Sequence, residues 1–466
     1  MSTAAVQFKQ DAVRVSADLR HRKIINTALD KYAVKRDEKK ALFQDYESAR
    51  QLAAETKWEA VNHLDTYLEQ FVRGLEARGT KVHWASTAQQ ARDIIVGIVK
   101  GRNAKSIVKS KAMTAEEIHL NGALEKAGFE VVESDLGEFI VQLRDEAPYH
   151  IVFPAMHLTR GEIQETFQRK NIDAPSDNPE ELTMAARRVL RQKYVQADVG
   201  ITGANFAVAE TGMGSITENE GNARLTAALP KTMITLLGSE KVVPRLADLA
   251  LFLPMLATMG AGQFISGYNT MYGGPRQPCE ADGPEEFHVV LLDNNRTALL
   301  ADAEQRDSLH CIRCGACLNV CPIYRNVGGH TYGTTYPGPI GSVITPNLRG
   351  RQDWKHLSYS SSLCGACTET CPVKIDLAHH LLQNRRNAAR EKPSFLQKMA
   401  FKIFAPIATK PWVWSLLVTK GGRIGQMFHG LVKGTRLDPA YVWTKTRDLP
   451  PIAEESFREW WKNSGK

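Results

Sequence analysis

The sequence predicts an α/β domain with a largely parallel sheet, followed by a small, mainly α-helical domain rich in cysteine, with helical regions at both ends of the chain. Two observations lead to this prediction. Short apolar runs alternate with helical patterns through the middle of the chain, as they do in βαβ units. Further on, seven of the eight cysteines fall into two short runs. The length of 466 residues suggests several domains, and 43% hydrophobic with 24% charged residues is typical of a globular chain.

Four regions are predicted along the chain: a helical N-terminal region (1–70), the α/β domain (71–296), the cysteine-rich domain (300–385) and an aromatic-rich helical region (390–466). In the first, apolar residues recur at helical spacing from Leu64 onward. The formal net charge of +8 is mild for this length, and basic residues are interleaved with acidic ones. That pattern indicates a solvated surface and argues against nucleic acid as a partner.

Eight apolar runs in the α/β region are predicted as strands, because each is short and is followed by polar or helical sequence. They cover residues 81–84, 106–109, 129–132, 150–153, 199–202, 232–237, 249–253 and 287–292. Ligands of open α/β sheets usually bind at the loops that follow strands. Two such loops are rich in small and polar residues.

The first loop carries Lys109 and Lys111 just before a predicted helix. Thr114 is predicted to cap that helix, with Glu117 reaching back as the other half of a capping box. Two lysines beside a helix N-terminus form a candidate anion site. The alternative is that both lysines are solvated and simply precede a well-capped helix.

The second loop spans residues 200–224 and is rich in glycine. Glycine allows a ligand to approach the backbone closely, and the polar side chains around it can orient a small polar molecule. The candidate pocket residues in this loop are Gly203, Asn205, Glu210, Thr211, Gly212, Glu218, Asn219, Asn222 and Arg224. The alternative is a pair of turns with ordinary cap chemistry, since neither a G-x-G-x-x-G fingerprint nor a P-loop is present.

The two cysteine runs carry the strongest functional signal. The first, residues 311–322, has the C-x2-C-x2-C-x3-C-P spacing of bacterial two-cluster ferredoxins, in which three close cysteines hold one cluster and the fourth crosses to the other. Cluster 1, a [4Fe-4S] cluster, is therefore predicted on Cys311, Cys314, Cys317 and Cys371. Cluster 2 is predicted on Cys321, Cys364 and Cys367.

Cluster 2 lacks a fourth cysteine, because Ser361 stands at the position that the spacing assigns to it. It is either a [3Fe-4S] cluster or a [4Fe-4S] cluster whose last iron takes an oxygen ligand, a partner's residue or the distant Cys279. A lone buried cysteine is the simpler interpretation of Cys279.

Zinc and disulfides are the rival interpretations of the cysteine runs. Structural zinc needs four ligands, usually in two separated pairs, whereas each run here has a further cysteine close to its pair. Disulfides need an even count and an oxidising compartment, and no signal peptide is visible in the sequence. Iron–sulfur clusters are therefore predicted.

Several segments resemble a known family. Residues 107–118, 128–138, 197–203 and 283–288 are similar to the lactate-utilisation domain, and with the two cysteine runs the chain resembles the lactate utilisation protein B family over essentially its full length. The resemblance implies an α/β domain of the ribose-5-phosphate isomerase and CoA-transferase type. It also implies the iron–sulfur subunit of a cytoplasmic complex of three proteins that oxidises L-lactate to pyruvate, with two other lactate-utilisation subunits as partners. The family's own pattern has seven cluster cysteines, so Ser361 is no departure from it.

The last region is rich in aromatic residues, among them Trp412, Trp414, Phe428, Trp460 and Trp461. Its most apolar stretch, residues 399–418, is interrupted by lysines and prolines, so no transmembrane helix is predicted there. Contact with a partner subunit is the favoured role. Packing of the tail and peripheral contact with a membrane are the alternatives.

Three functions compete on this evidence. The first is an electron-transfer subunit within a lactate-oxidising complex, the second is a self-contained iron–sulfur dehydrogenase for a small 2-hydroxy acid, and the third is a non-catalytic scaffold. Two-electron oxidation of a hydroxy acid needs an acceptor of an electron pair, and the sequence has no flavin or nicotinamide fingerprint. The sequence therefore favours the first function.

Overall fold

The computed structural model describes residues 2–417 and, beyond them, residues 432, 434–435, 437–438, 440–444, 447, 455 and 457–464. The chain divides into two compact units, residues 1–388 and 389–466. The predicted boundaries within the first unit stay predictions.

A six-stranded parallel sheet forms the centre of the first unit, which confirms the predicted α/β class. Its strands are β1 (Lys81–Ala85), β2 (Ser106–Lys109), β3 (Glu130–Glu133), β4 (Val199–Thr202), β7 (Thr232–Gly238) and β10 (Glu286–Leu292). They lie in the order β1-β10-β7-β4-β2-β3. The middle strands β4 and β7 are buried along their whole length, as strands covered on both faces must be, and their sequences are correspondingly apolar.

A second sheet of four short strands was not predicted. It contains β5 (Phe206–Val208), β6 (Met213–Glu218), β8 (Val242–Val243) and β9 (Tyr268–Tyr272) in the order β8-β5-β6-β9. The loop predicted over residues 200–224 therefore includes a β-hairpin, in which β5 and β6 pair antiparallel. Strands of two to six residues carry too short an alternation to stand out in a sequence.

Two of the eight predicted strands are wrong. Residues 150–153 form a turn, because the buried His150 side chain accepts hydrogen bonds at Nδ1 from the backbone N–H groups of Val152 and Phe153 (3.0 and 3.2 Å). Residues 249–253 begin the helix Leu249–Ala261. A short apolar run cannot be assigned to a buried strand or a buried helix from periodicity alone, and here the run continues as a helix.

Helices surround both sheets. In the N-terminal region they are Thr3–Ala17, Leu19–Lys40, Tyr46–Asn62 and Leu64–Glu76, as the predicted helical character requires. Around the sheets they are Ala88–Gly101, Met113–Glu117, Leu120–Lys126, Leu136–Leu143, Arg160–Arg169, Pro179–Gln196, Asn222–Ala228, Leu249–Ala261 and Arg296–Ala301. Phe71 and Leu75 of the fourth helix are buried against one face of the parallel sheet, so the N-terminal region shares the core of the α/β domain.

The cysteine-rich part is built from short helices, as predicted. They are Ala316–Val320, Pro322–Val327, Gly338–Arg349, Arg351–Tyr359, Ala366–Thr370 and Leu377–Glu391. The core of this part also includes Ile25 and Leu29 of the second helix and Phe252 of the helix Leu249–Ala261. The cysteine-rich part therefore packs against the rest of the first unit instead of standing apart as a free module.

The second unit contains helices Phe395–Thr409, Pro411–Ser415, Tyr441–Thr444 and Phe457–Asn463. No side chain of its first two helices is buried, and Phe401, Trp412 and Phe457 are each 69% exposed. Phe428 and Val418, which belong to the predicted aromatic and apolar stretches, lie outside the described residues. Among the residues that are described, no helix combines the length and apolar character needed to cross a bilayer.

Candidate functional site

Four cysteines line one small cavity: Cys311, Cys314, Cys317 and Cys371. The rest of its wall is mostly apolar, with Ile312, Ile340 and Val373 among the lining side chains. Burial raises the pKa of the Cys317 thiol well above its ordinary value, and the nearby Cys311 and Cys314 raise it further. These four cysteines, called group 1 below, are the set predicted for cluster 1.

The other three cysteines lie near one another and are called group 2: Cys321, Cys364 and Cys367. Burial raises the pKa of Cys367 to about 11, with Cys321 and Cys364 as further causes. Ser361 lies near them in sequence, and its hydroxyl accepts a hydrogen bond from the Leu363 N–H at 3.2 Å. The lone Cys279 is exposed, contrary to the expectation of a buried thiol, because it falls in the polar, proline-containing connection between β9 and β10.

Both runs fold in the same way. Gly315 and Gly365 each adopt a left-handed conformation (φ +78° and +83°) and each begins a five-residue helix. Backbone N–H groups also face cysteine sulfur: the Arg313 N–H lies 3.4 Å from Cys311 Sγ. Buried thiols whose pKa is raised this far are neutral in the absence of a metal, and coordination to iron removes their protons. An apolar wall, four convergent sulfurs and N–H···S contacts are features that suit an iron–sulfur cluster.

A cleft of about 300 Å³ lies in the α/β domain. Of the residues predicted for a pocket, it is lined by Lys111, Gly203, Asn205, Glu218, Asn219 and Asn222. Lys109, Glu210, Thr211, Gly212 and Arg224 lie elsewhere. A volume of this size suits a small molecule at the lower end of the range for ligand sites.

Lys109 is excluded from solvent and does not form the predicted anion site. Its ammonium lies 2.8 Å from a carboxylate oxygen of Glu133, 3.2 Å from Glu116 and 4.0 Å from Glu138. Burial alone lowers the pKa of Lys109, but these carboxylates outweigh burial and raise it. Lys109 is therefore a charged residue inside the fold.

The predicted capping box of Thr114 and Glu117 is also wrong. Ala112 is the N-cap of the helix Met113–Glu117, and no side chain caps it. The Glu117 carboxylate instead accepts two hydrogen bonds from Arg296 (2.7 and 2.9 Å) and one from the Tyr336 hydroxyl (2.6 Å). A buried guanidinium competes more strongly for this carboxylate than a backbone N–H does.

Glu210, Thr211 and Gly212 lie at the turn between β5 and β6. Glu210 accepts a hydrogen bond from the Leu246 N–H at 2.8 Å, and a Cβ on Gly212 would come within 2.5 Å of Gly74. Arg224 is exposed, with its guanidinium 5.2 Å from the ring centre of Tyr268. The positions of these four residues favour the alternative interpretation, in which they form ordinary turns and not a pocket.

The cleft and the cavity of group 1 meet. Ile151 and Arg313 line both of them. Arg313 is buried, its Nη2 donates to Glu240 at 3.1 Å, and its guanidinium lies 4.6 Å from the ring centre of Tyr336. Arg313, a residue of the first cysteine run, therefore lines both the cleft and the cavity of group 1.

A chain of buried charges supports Arg313. The Glu240 carboxylate lies between two arginines, 2.5 Å from Arg296 Nε and 3.1 Å from Arg313 Nη2. Arg296 in turn forms an ion pair with Glu117. Although burial alone raises the pKa of Glu240, Arg296 and Arg313 lower it well below its ordinary value. The sequence analysis did not identify Arg313, Glu240 or Arg296, whose partners are far apart in the chain. The one available signal was the presence of Arg313 inside the first cysteine run.

Both cations and carboxylates line the cleft. Lys241 and Arg313 line it next to group 1, and burial lowers the pKa of Lys241 to about 8 against the opposing effect of Glu240. Asp135, Glu218 and Glu220 also line the cleft. The charged groups close enough to Glu220 to act on it electrostatically are Asp135, Lys111 and Glu218. Lys111 also lines the cleft, so its wall carries three cations and three carboxylates.

Three family descriptions match successive parts of the chain. Residues 68–292 match the LUD domain, residues 307–375 match the 4Fe-4S dicluster domain, and residues 382–466 match the lactate utilisation protein B C-terminal family.

Curated relatives match almost the whole chain. A lactate utilization protein B of Shouchella clausii is 44% identical over 95% of this chain and 93% of its own length, and one of Oceanobacillus iheyensis is 45% identical over 91% and 89%. A crystal structure of a DUF162 family protein from Deinococcus radiodurans shares 14% identity, covering 49% of this chain and 98% of its own, with a TM-score of 0.28. That score is too low to bear on the fold.

Proposed function

The chain belongs to the lactate utilization protein B family, and we propose that it is the iron–sulfur electron-transfer subunit of a cytoplasmic complex that oxidises L-lactate to pyruvate. The observation that supports this proposal most directly is the contact between the cleft and group 1 through Arg313 and Ile151. Electron donors and acceptors must lie close together, and here a ligand site adjoins a set of cluster ligands.

We propose that group 1 holds a [4Fe-4S] cluster, and that group 2 holds a second cluster with Ser361 at the vacant fourth position. Oxidation of lactate to pyruvate releases two electrons and two protons, and iron–sulfur clusters supply one-electron transfer. The cysteines hold the clusters, the apolar wall of group 1 keeps water out, and the Arg313 cation stabilises negative charge beside it. The chain's lack of a dinucleotide fingerprint favours a partner subunit as the site of the electron-pair acceptor.

Two other lactate-utilisation subunits are the proposed partners. The exposed aromatic side chains of the second unit suit a subunit contact, since large aromatic residues are enriched in the centres of protein interfaces. Peripheral contact with a membrane is the alternative role of this unit.

The test is anaerobic co-purification of the chain with its two proposed partner subunits, followed by addition of L-lactate. We expect lactate to reduce the clusters, as measured by EPR and by bleaching of visible absorbance, in the complex only. Clusters that stay oxidised in every assembly contradict the proposal.

A self-contained dehydrogenase is a second candidate, because the cleft lies in the same chain as group 1. The isolated chain with intact clusters distinguishes the two functions. Rapid oxidation of L-lactate by this chain alone, with an artificial acceptor, favours the second candidate, and activity that appears only with partners favours the first.

A further inference from the structure

We propose that the cleft binds a small organic carboxylate, whose negative charge is held by Lys241 and Arg313 at the end next to group 1. The site itself is inferred from the geometry of the cleft. Only the identity of the carboxylate, a 2-hydroxy acid or its 2-oxo product, rests on the proposed function.

The first argument is that one hydrogen-bond donor of Arg313 lacks an acceptor. Arg313 is only 9% exposed, and its Nη2 is bonded to Glu240. Its Nη1 is also buried but has no hydrogen-bond partner among the described residues. A buried charged donor without an acceptor is costly, and guanidinium is well suited to bind a carboxylate. Because Arg313 lines both spaces, a carboxylate in the cleft is one possible acceptor for this donor, and a cluster on group 1 is the other.

The second argument is the local balance of charge. Arg296 is paired with Glu117 through two hydrogen bonds, and Glu240 is the remaining carboxylate beside Arg313 and Lys241. Lys57 is buried in the same place, close to Glu240 and Lys241, so apart from the cysteines this set has two more positive than negative charges. Buried charges are usually paired, so an anion is the expected ligand.

The third argument is the pair of carboxyl groups, Glu218 and Glu220, in the wall of the cleft. Both carboxylate oxygens of Glu218 accept backbone N–H groups, from Ala223 at 2.7 Å and from Arg224 at 2.9 Å. Glu220 accepts the N–H of Leu136 at 3.0 Å. Burial raises the pKa of both carboxyl groups, that of Glu220 to about 7. Above neutral pH these groups are charged, and they then favour an anion at Lys241 and Arg313 over one beside themselves.

The volume limits the ligand further. About 300 Å³ accommodates a molecule of a few carbon atoms together with water, and Ile151, Leu256 and Ala257 supply an apolar part of the wall. A small monocarboxylate fits this combination of size, charge and apolar contact.

The position of Arg313 gives the site a distinctive readout. Because Arg313 lines both the cleft and the cavity of group 1, an anion in the cleft competes for the same cation as a cluster held by group 1. Binding of the carboxylate should therefore lower the midpoint potential of that cluster. By thermodynamic reciprocity, reduction of the cluster should weaken binding by the same factor.

The experiment uses the full chain with its clusters assembled under anaerobic conditions. L-lactate and pyruvate are each titrated by equilibrium dialysis, and the midpoint potential of the group 1 cluster is followed by EPR with and without each ligand. The comparison ligands are lactamide, which lacks the charge, and inorganic phosphate, which is an anion of another class. We expect saturable binding of the carboxylates, weak binding of both comparison ligands, and a lowered potential in the presence of a carboxylate.

Lys241→Met is the principal variant, and it should weaken carboxylate binding by about tenfold or more, since a charge-assisted hydrogen bond is worth ~1.5–3 kcal/mol. If Lys241→Met fails to fold, as judged by its iron content, Lys241→Gln is used in its place. Lys231→Met is the matched control, because Lys231 is a lysine with an 80% exposed side chain outside the cleft. Glu220→Gln should strengthen binding at pH 8, where the Glu220 carboxylate is charged, and weaker binding would contradict the third argument.

Several outcomes overturn the inference: no saturable binding of either carboxylate, equal binding of lactamide or phosphate, or unchanged binding in a folded Lys241 variant. If the complex oxidises lactate but this chain binds neither carboxylate, the inference fails and the proposed function stands. If the chain binds carboxylates but lactate never reduces the clusters of any complex, the proposed function fails and the site stands.

Discussion

The two cysteine groups differ in how much of the protein covers them. In group 1, Cys311 is partly covered and the other three cysteines are buried, whereas in group 2 only Cys367 is buried, Cys321 is partly covered and Cys364 is exposed. Group 1 also adjoins the cleft, whereas group 2 lies closer to solvent. If the proposed function holds, this difference predicts electron flow from group 1 to group 2 and out to a partner.

The covering of group 1 comes from parts of the chain far from its cysteines. Gly315 faces His150, Ile151 and Val152 of the α/β domain, and Arg50 of the N-terminal region donates two hydrogen bonds to the carbonyl of Cys371 (2.8 and 3.0 Å). Two domains thus hold one group in place, which explains why the cysteine-rich part is not an independent module.

The largest effect is expected from removing one ligand of each group. Cys311→Ser should abolish the group 1 cluster, and Cys321→Ser should abolish the group 2 cluster, although both residues belong to the first run. Iron analysis and EPR of each variant measure the loss. Disappearance of the same signal in both variants would contradict the crossed assignment, and Cys279→Ser is the control that should leave both signals intact.

Glu240→Gln should strongly destabilise the side of the molecule that holds group 1. Removing this carboxylate leaves Arg296 and Arg313 short of a buried partner, with an expected loss of about 3 to 5 kcal/mol. Urea unfolding at pH 7, with EPR of both clusters, tests whether group 1 is lost before group 2. Glu285→Gln, a change at an exposed surface pair, is the control.

The wild type and Glu240→Gln should also differ in how their stability depends on pH. Because the pKa of Glu240 is lowered in the folded state, its contribution to stability is present above its ordinary pKa of 4.5 and is lost as the pH falls through the lower folded value. The wild type should therefore lose stability below about pH 4.5 more steeply than Glu240→Gln. Equal slopes in urea unfolding across this range would show that the pair contributes no pH dependence.

A matched pair of glycine variants separates backbone strain from packing. Gly315→Ala and Gly365→Ala place a side chain in the same left-handed conformation, at a cost of about 1 to 2 kcal/mol each. The new Cβ at position 315 lies 3.2 Å from three side chains, whereas that at position 365 meets nothing within 4 Å. Thermal unfolding should therefore show the larger loss for Gly315→Ala, and equal losses would contradict the tight covering of group 1.

The smallest change in stability is expected from Ser361→Cys, which offers group 2 a fourth thiolate. Its side chain is only partly buried, so the fold should tolerate the added sulfur. The EPR spectrum of the group 2 cluster should change while that of group 1 does not. An unchanged spectrum would indicate that position 361 does not reach the cluster.

The sequence predicted features that depend on local spacing. The cysteine runs and the strands at 106–109 and 199–202 were identified because each is a complete local pattern. The shared role of Arg313 was missed, because its partner Glu240 is distant in sequence and on another element. The strand predicted at 150–153 failed for a related reason, since the buried His150 is held by Asn319 of the cysteine-rich part at 2.9 Å.

The place of β10 in the parallel sheet has a consequence for biosynthesis. Among the described residues this strand is the last, yet it lies between β1 and β7, so the sheet has a gap until residues 286–292 have left the ribosome. Contacts between distant segments form late and slowly. The first cluster ligand, Cys311, follows closely behind β10, and the loop that covers Gly315 belongs to the domain that β10 completes. Closure of the sheet should therefore precede iron–sulfur assembly in the nascent chain.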